Sequence, residues 1–164
     1  MLQETHQTQS LQKPSLENSI WYNGHLFSFL LNAKQTSGSF CLIHCHFRKG
    51  GEPPAHYHLN EDETFYLLEG QIRFHVGDKK FIAKPGDVAY APKGIPHHFK
   101  IETETAKALL LISPAGMETF FSEYGVPAQS MELPEVPQGE PPAKFMQQML
   151  KRAEELGIVW MPEF

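Results

Sequence analysis

The 164-residue chain is 41% hydrophobic and 20% charged and carries a net charge of −5, as expected of one soluble globular domain. It contains no apolar run near the roughly 20 residues that a membrane helix needs, and its start lacks the basic and apolar regions of a secretory signal, so we expect a cytoplasmic protein. Because the chain is negative and has no cluster of Lys or Arg, neither nucleic acid nor a membrane is expected as a partner.

Residues 1–18 are rich in Gln, Ser and Thr and have no apolar period, which predicts a disordered N-terminal tail. From residue 19 to residue 113, short runs of β-branched, aromatic and alternating residues follow one another between Gly, Pro and Asn. Tight turns are predicted at Glu69-Gly70 and at Gly77-Asp78, so that consecutive strands pair antiparallel. About nine short strands of this kind predict an all-β fold, a jelly-roll barrel of two sheets.

Two cysteines lie in the strand-like run "SFCLIHCHF". In an extended chain the Cα atoms of Cys41 and Cys45 are about 13 Å apart. A disulfide needs less than about 7 Å, so these cysteines are not expected to pair with each other. Since no CxxC spacing is present, we interpret both as buried thiols.

Residues 114–164 are predicted to form a C-terminal extension with two helices. The first has Ser113 as its cap, Pro114 as its first residue and Gly125 as its end, and the second covers residues 143–157. Each helix has an apolar stripe, which we interpret as packing on the barrel or on a second subunit. The stripes contain Met117, Phe120, Phe121 and Tyr124 in the first helix, and Phe145, Met146, Met149, Leu150 and Ala153 in the second.

Three histidines and one glutamate are the candidate metal ligands. His56 and His58 are two residues apart, and in an extended segment both imidazoles lie on one face, with about 6.6 Å between their Cα atoms. A short turn after His58 can bring the Glu63 carboxylate back toward them, and His97 begins a later strand after the turn "PKG". This set suits one divalent transition metal ion, Fe, Mn, Ni, Co, Cu or Zn, and leaves positions for water or substrate. The competing interpretation is that these histidines are ordinary core or surface residues.

The spacing of these residues resembles the two motifs of the cupin family. The first motif is a glycine, five residues, HxH, four residues, a glutamate, six residues and a glycine. The second is a glycine, five residues, PxG, two residues, a histidine, three residues and an asparagine, and Ile101 stands where that asparagine, which is not a metal ligand, is expected. The matching positions are Gly50, His56, His58, Glu63 and Gly70 in the first motif, and Gly86, Pro92, Gly94 and His97 in the second.

The resemblance implies a single cupin barrel, a double-stranded β-helix, over residues 19–113. The longer run from "HYHLNEDETFYLLEG" to "SPAGMETFFSEYGVPA" is similar to the small bacterial cupins grouped as quercetin 2,3-dioxygenase-like. That similarity implies a metal-dependent enzyme that cleaves a flavonol-type or other enolisable or phenolic ring with O₂. Two alternatives stay open: a non-catalytic metal-containing domain that binds or senses a small molecule, and a sugar isomerase or epimerase.

Under the dioxygenase interpretation Glu63 is the candidate catalytic residue, since a carboxylate that leaves the metal can take a proton from the substrate. The substrate pocket is expected to be apolar and aromatic, and Phe65 and Leu67 share the strand parity of Glu63. His44 belongs to a second HxH, with His46, which can line the cavity or lie on the outer face. The candidate pocket residues are Phe65, Leu67, Phe99, Phe47, Tyr66 and His44.

The expected partners are a small-molecule substrate or ligand and a second copy of the chain. The apolar segments "IWYN", "HLFSFLL" and "IVWMPEF" lie at the two ends of the globular part, and exposed apolar patches usually mark an interface. Joining two barrels edge to edge would also cover unpaired strand edges. The sequence therefore predicts a homodimer.

Overall fold

The computed structural model describes residues 11–136, 139, 141–161 and 163–164. Within these residues the chain forms twelve strands and two α-helices, and both helices lie near the C-terminal end. The strands are β1 (Ser19–Tyr22), β2 (His25–Leu31), β3 (Cys41–Arg48), β4 (His56–His58), β5 (Asp62–Glu69), β6 (Ile72–Val76), β7 (Lys79–Ala83), β8 (Val88–Ala91), β9 (His97–Ile101), β10 (Thr105–Ser113), β11 (Val126–Pro127) and β12 (Ile158–Trp160), and the helices are α1 (Glu118–Tyr124) and α2 (Ala143–Glu155).

The strands form two antiparallel sheets that pack against each other. One sheet has the order β11-β1-β2-β3-β10-β5-β8, and the other has the order β12-β4-β9-β6-β7. Aromatic rings from the two sheets meet in the core, where the ring centroids of Phe47 and Phe99 are 5.4 Å apart and those of Phe65 and Phe74 are 5.2 Å apart. The predicted all-β jelly roll is confirmed.

The alternation of residues along β3 decides which side chains enter this core. Cys41, Ile43, Cys45 and Phe47 are buried, and the residues between them are only partly buried. Both cysteines are free thiols, as predicted. Burial raises the pKa of both thiols well above the ordinary value, so they are neutral core residues and poor nucleophiles.

The two predicted turns have different outcomes. Gly77-Asp78 is a two-residue hairpin, since Val76 pairs with Lys79 and β6 is antiparallel to β7. At Glu69-Gly70 the prediction of a hairpin is wrong, because β5 lies in the seven-stranded sheet and β6 in the five-stranded one. Gly70 has φ +77° there, and a Cβ at this position would lie 2.5 Å from the carbonyl oxygen of Thr105. This glycine therefore permits a close crossing between sheets.

The C-terminal extension contributes to both sheets. Helix α1 begins at Glu118 and not at Pro114, because Ser113 is still part of β10, where it pairs with Asp62. It ends as predicted at Gly125, whose N–H donates to Phe121 O at 2.8 Å. The two-residue β11 pairs with β1, and β12 pairs with β4. The sequence did not predict these two strands, because runs of two or three residues are too short to show a period.

The remaining predictions concern the chain ends and membranes. Residues 1–10 of the predicted tail lie outside the described residues, and Leu16–Asn18 forms one turn of 3-10 helix, in contrast to the expected disorder up to residue 18. None of the described helices is long and apolar enough to cross a membrane.

Candidate metal centre

Three strands bring the four candidate ligands together. His56 and His58 lie on β4, Glu63 is the second residue of β5, and His97 begins β9, in register with His56. The period of two along β4 places both of its imidazoles on the inner face. All four side chains are buried, and they offer ligand atoms that all lie within 4.8 Å of one another. The structure thus brings the four predicted residues into one cluster.

Hydrogen bonds orient two of the imidazoles toward the carboxylate. The Nδ1–H of His56 donates to Pro54 O at 2.8 Å, and the Nδ1–H of His97 donates to Ile95 O at 3.0 Å. In a neutral imidazole the other nitrogen, Nε2, then carries a lone pair. His97 Nε2 lies 3.0 Å from Glu63 Oε2. The lone pair of His97 Nε2 and the carboxylate oxygen of Glu63 repel each other unless a cation lies between the two atoms. That cation can be a proton or a metal ion.

The ring nitrogens of His58 also lack the partners that buried polar atoms need. Its Nε2 lies 3.4 Å from Glu63 Oε2, yet neither of its ring nitrogens has a hydrogen-bond partner among the described residues, and both are buried. Buried polar atoms without partners are rare because they cost free energy. A divalent ion at the centre of the cluster would satisfy Nε2 of His58 together with the carboxylate. The residues present therefore fit a metal ion.

The charge states of His56 and Glu63 also suit a metal. Burial lowers the pKa of His56 to about 4, with the neighbouring His97 and His58 acting in the same direction, so His56 is neutral near pH 7. Burial would raise the pKa of Glu63, but His58 and His97 outweigh it and hold that pKa well below its usual range. Burial likewise would lower the pKa of His58, but the Glu63 carboxylate outweighs it and raises that pKa. Ionised carboxylate and neutral imidazole are the forms that bind metals, so Glu63 and His56 are ready to bind, whereas a proton on His58 would be displaced by the ion.

A cavity of about 490 Å³ opens from this cluster. That volume is within the range of small-molecule sites. Its lining is mainly aromatic and aliphatic, and it includes no Lys or Arg among the described residues. The wall consists of barrel residues such as Tyr22, Phe27, Phe47, Phe65 and Phe99, of Met117, Phe120, Phe121 and Tyr124 in and before α1, and of Phe145, Met146, Met149, Ile158 and Trp160 from α2 and β12.

Half of the predicted pocket residues line this cavity, namely Phe47, Phe65 and Phe99. Leu67 does point inward as its parity suggests, but it is buried in the core and is not part of the cavity wall. Tyr66 lies on the opposite face of β5 and is 43% exposed, which corrects the prediction for this residue. His44 is also outside the cavity wall, since it alternates with the inward-facing Ile43 and Cys45 on β3.

Two residues near the cluster were not identified as site residues from the sequence. Trp160 pairs with His56 across β12 and β4, and its ring centroid lies 5.5 Å from that of His56. Glu61 lies in an acidic loop that the sequence alone would leave in solvent, but it is only 6% exposed. The preceding residues of its loop are bound to the C-terminal segment, since Leu59 N–H donates to Gly157 O at 2.8 Å and Asn60 Nδ2 donates to Leu156 O at 3.2 Å.

Comparison with known proteins agrees with this geometry. Residues 43–113 match the family described as cupin domain. The quercetin 2,3-dioxygenase of Bacillus subtilis (strain 168) is 29% identical over 125 residues, which are 76% of this chain and 36% of the relative. The chain thus spans about a third of the length of that relative.

Two solved structures share the fold. KdgF from Halomonas sp. superimposes with a TM-score of 0.59 at 18% identity, covering 68% of this chain and 99% of that one. An RmlC-like cupin from Shewanella frigidimarina NCIMB 400 has a TM-score of 0.56 at 19% identity, covering 68% of this chain and 96% of that one. At these identities the likeness concerns the fold alone.

Proposed function

This chain contains a cupin domain with a buried His/Glu cluster, and from that premise we propose that it binds one divalent transition metal ion and acts as a dioxygenase on neutral enolisable or phenolic small molecules. The observation that carries the proposal is the junction of the four-residue cluster with an aromatic cavity of about 490 Å³. The similarity to the Bacillus enzyme supports flavonol-like compounds as the first substrates to test.

The cavity lining supports a neutral, largely apolar substrate. A phosphate or a carboxylate buried in this cavity would need a cationic partner, and the described lining offers no Lys or Arg. This argues against a sugar phosphate as the substrate of an isomerase or epimerase. Phe65 and Phe99 belong to the barrel part of the cavity wall, while Phe121, Phe145 and Met149 belong to the helical part. A planar substrate would stack on such rings while its oxygen reaches the cluster.

The proposed mechanism assigns distinct tasks to the chain's own residues. His56, His58, Glu63 and His97 would hold the metal ion. A bound divalent ion supplies Lewis acidity at this point, which lowers the pKa of a substrate hydroxyl. Glu63, whose Oε2 faces His58 at 3.4 Å and His97 at 3.0 Å, would accept the hydroxyl proton on its other carboxylate oxygen, Oε1. The apolar wall would exclude water and so favour reaction of the resulting anion with O₂.

Oxygen uptake tests this function. The protein is reconstituted separately with Fe, Mn, Ni, Co, Cu and Zn and mixed with flavonols, with simple phenols and, as a charged comparison, with sugar phosphates. We expect O₂ consumption with a flavonol or phenol and at least one metal, and none with the sugar phosphates. If no compound supports O₂ uptake while flavonols still bind, the dioxygenase proposal is wrong and the non-catalytic binding domain is the better account.

We also propose a homodimer, on evidence different from the apolar segments noted in the sequence. Those segments are largely covered within the chain, since Phe27 and Ile158 are buried and Trp160 lines the cavity. At the β8 edge of the seven-stranded sheet, however, Val88 is 59% exposed and Tyr90 is 52% exposed. An apolar edge strand favours pairing with a second copy, which would also cover its backbone groups.

Light scattering at micromolar concentration checks the dimer. We expect twice the chain mass of 18.7 kDa for the wild type. The double variant Val88→Lys with Tyr90→Lys is expected to be monomeric, because lysine on an edge strand opposes pairing. Ile82→Lys changes a side chain that is 43% exposed on β7, an edge strand of the five-stranded sheet; it is the matched control and is expected to remain dimeric. A wild type that scatters as a monomer would contradict the proposal.

A further inference from the structure

Glu61 is a buried carboxylate next to the ligand cluster but not part of it. It lies in the loop between β4 and β5, and the four residues that converge do not include it. Its Oε2 atom is buried, has no hydrogen-bond partner among the described residues, and lies 3.9 Å from Nδ1 of His58. A buried carboxylate oxygen without a partner is costly, so its position needs a physical reason.

The second atom without a partner is Nδ1 of His58 itself. The other two histidines of the cluster each donate Nδ1–H to the backbone carbonyl two residues earlier, Pro54 O for His56 and Ile95 O for His97. These bonds fix the ring orientation that directs Nε2 toward the cluster. His58 lacks such a bond, and its Nδ1 is the one that faces the open Glu61 oxygen. Of the three histidines, His58 is thus the one whose Nδ1–H has no backbone carbonyl as its acceptor.

We propose that Glu61 is the positioning residue for His58, accepting the hydrogen bond of Nδ1–H when Nε2 binds the metal ion. This inference rests on the proposed metal site. Metal-ligating histidines almost always donate their second N–H to a carboxylate, a carbonyl or water, and the partner orients the ring and raises its basicity. At 3.9 Å the two atoms are too far apart for a hydrogen bond, which needs about 2.7–3.2 Å, so the Glu61 side chain must approach by about 1 Å.

Metal affinity is the first measurement. Glu61→Leu removes the acceptor and is expected to weaken Zn²⁺ binding by about 10- to 100-fold in competition with a chelator. Glu61→Gln keeps an acceptor oxygen and is expected to rescue most of this loss. Glu104→Gln removes one exposed carboxylate elsewhere and is the matched control, with unchanged affinity. Circular dichroism of each variant verifies the fold.

Proton NMR of the Co²⁺-loaded protein separates a positioning role from a structural one. Each histidine bound through Nε2 retains an exchangeable Nδ1–H, whose signal the paramagnetic ion shifts away from the others. We expect three such signals in the wild type, one for each histidine of the cluster. In Glu61→Leu the signal of His58 is expected to be lost by exchange with water, while those of His56 and His97 persist.

The outcomes distinguish this inference from the proposed function. Unchanged Zn²⁺ affinity with three retained signals in Glu61→Leu would overturn the role of Glu61 and leave the metal site intact. A wild type that binds neither Zn²⁺ nor Co²⁺ would overturn both. Should Glu61→Leu fail to fold, Glu61→Ala, which also removes the acceptor, decides the matter: a His58 signal identical to the wild type in shift and in exchange rate would overturn the positioning role.

Discussion

Replacing His56 and His58 together with alanine is expected to abolish metal binding. The two imidazoles are half of the cluster, and both lie on β4. The remaining Glu63 and His97 would provide two ligands, whereas protein sites for these metals use about three or four. We expect metal content to fall from about one ion per chain to below about a tenth of that, measured by elemental analysis of dialysed protein.

The chain offers a matched control for this double variant. His75 and His98 are also neighbouring histidines, with Nδ1 of His75 3.2 Å from Nε2 of His98, but they are not part of the cluster. The double variant His75→Ala with His98→Ala is therefore expected to keep its metal. Full metal content after loss of His56 and His58 would show that the metal site is assigned to the wrong residues.

Glu63→Gln is expected to separate metal binding from turnover. Glutamine has nearly the same shape and an oxygen that can still bind the ion, so metal content should be largely retained. It cannot accept a proton as a carboxylate does, and loss of a general base typically costs about 10²- to 10⁴-fold in rate. We expect O₂ uptake with the best flavonol or phenol to fall by that factor, at a metal content close to that of the wild type.

Glu69→Gln is the control for this effect, because it removes a carboxylate from the outer end of the same strand. Glu69 accepts a hydrogen bond from Lys107 Nζ at 3.0 Å, outside the cluster and outside the cavity wall. Its turnover is expected to match the wild type. Unimpaired O₂ uptake by Glu63→Gln would remove Glu63 from the role of base and would leave it as a ligand.

The sequence by itself determined the strand-rich fold and the four clustered residues. His56 and His58 are placed on one face by the period of two along a strand, which is a local property. The spacing from His58 to Glu63 leaves only a short turn, so the carboxylate returns to the same neighbourhood. His97 is the distant member, and the resemblance of its "PKG" turn to the second cupin motif linked it to the others. Strand geometry and the motif spacing were together sufficient to identify all four residues of the cluster.

Only the tertiary structure decided what surrounds that cluster. Trp160 stands beside His56 because a three-residue strand from the end of the chain pairs with β4, and so short a run carries no period to read. The loop that contains Glu61 is held by Leu156 and Gly157, about a hundred residues later, which accept hydrogen bonds from Asn60 and Leu59. The turn at Gly70 crosses between sheets for a similar reason, since the strand before it pairs with β10 and the strand after it pairs with β9. The burial and strand pairing of these residues depend on contacts with residues that are remote in sequence. A local sequence pattern cannot predict such contacts.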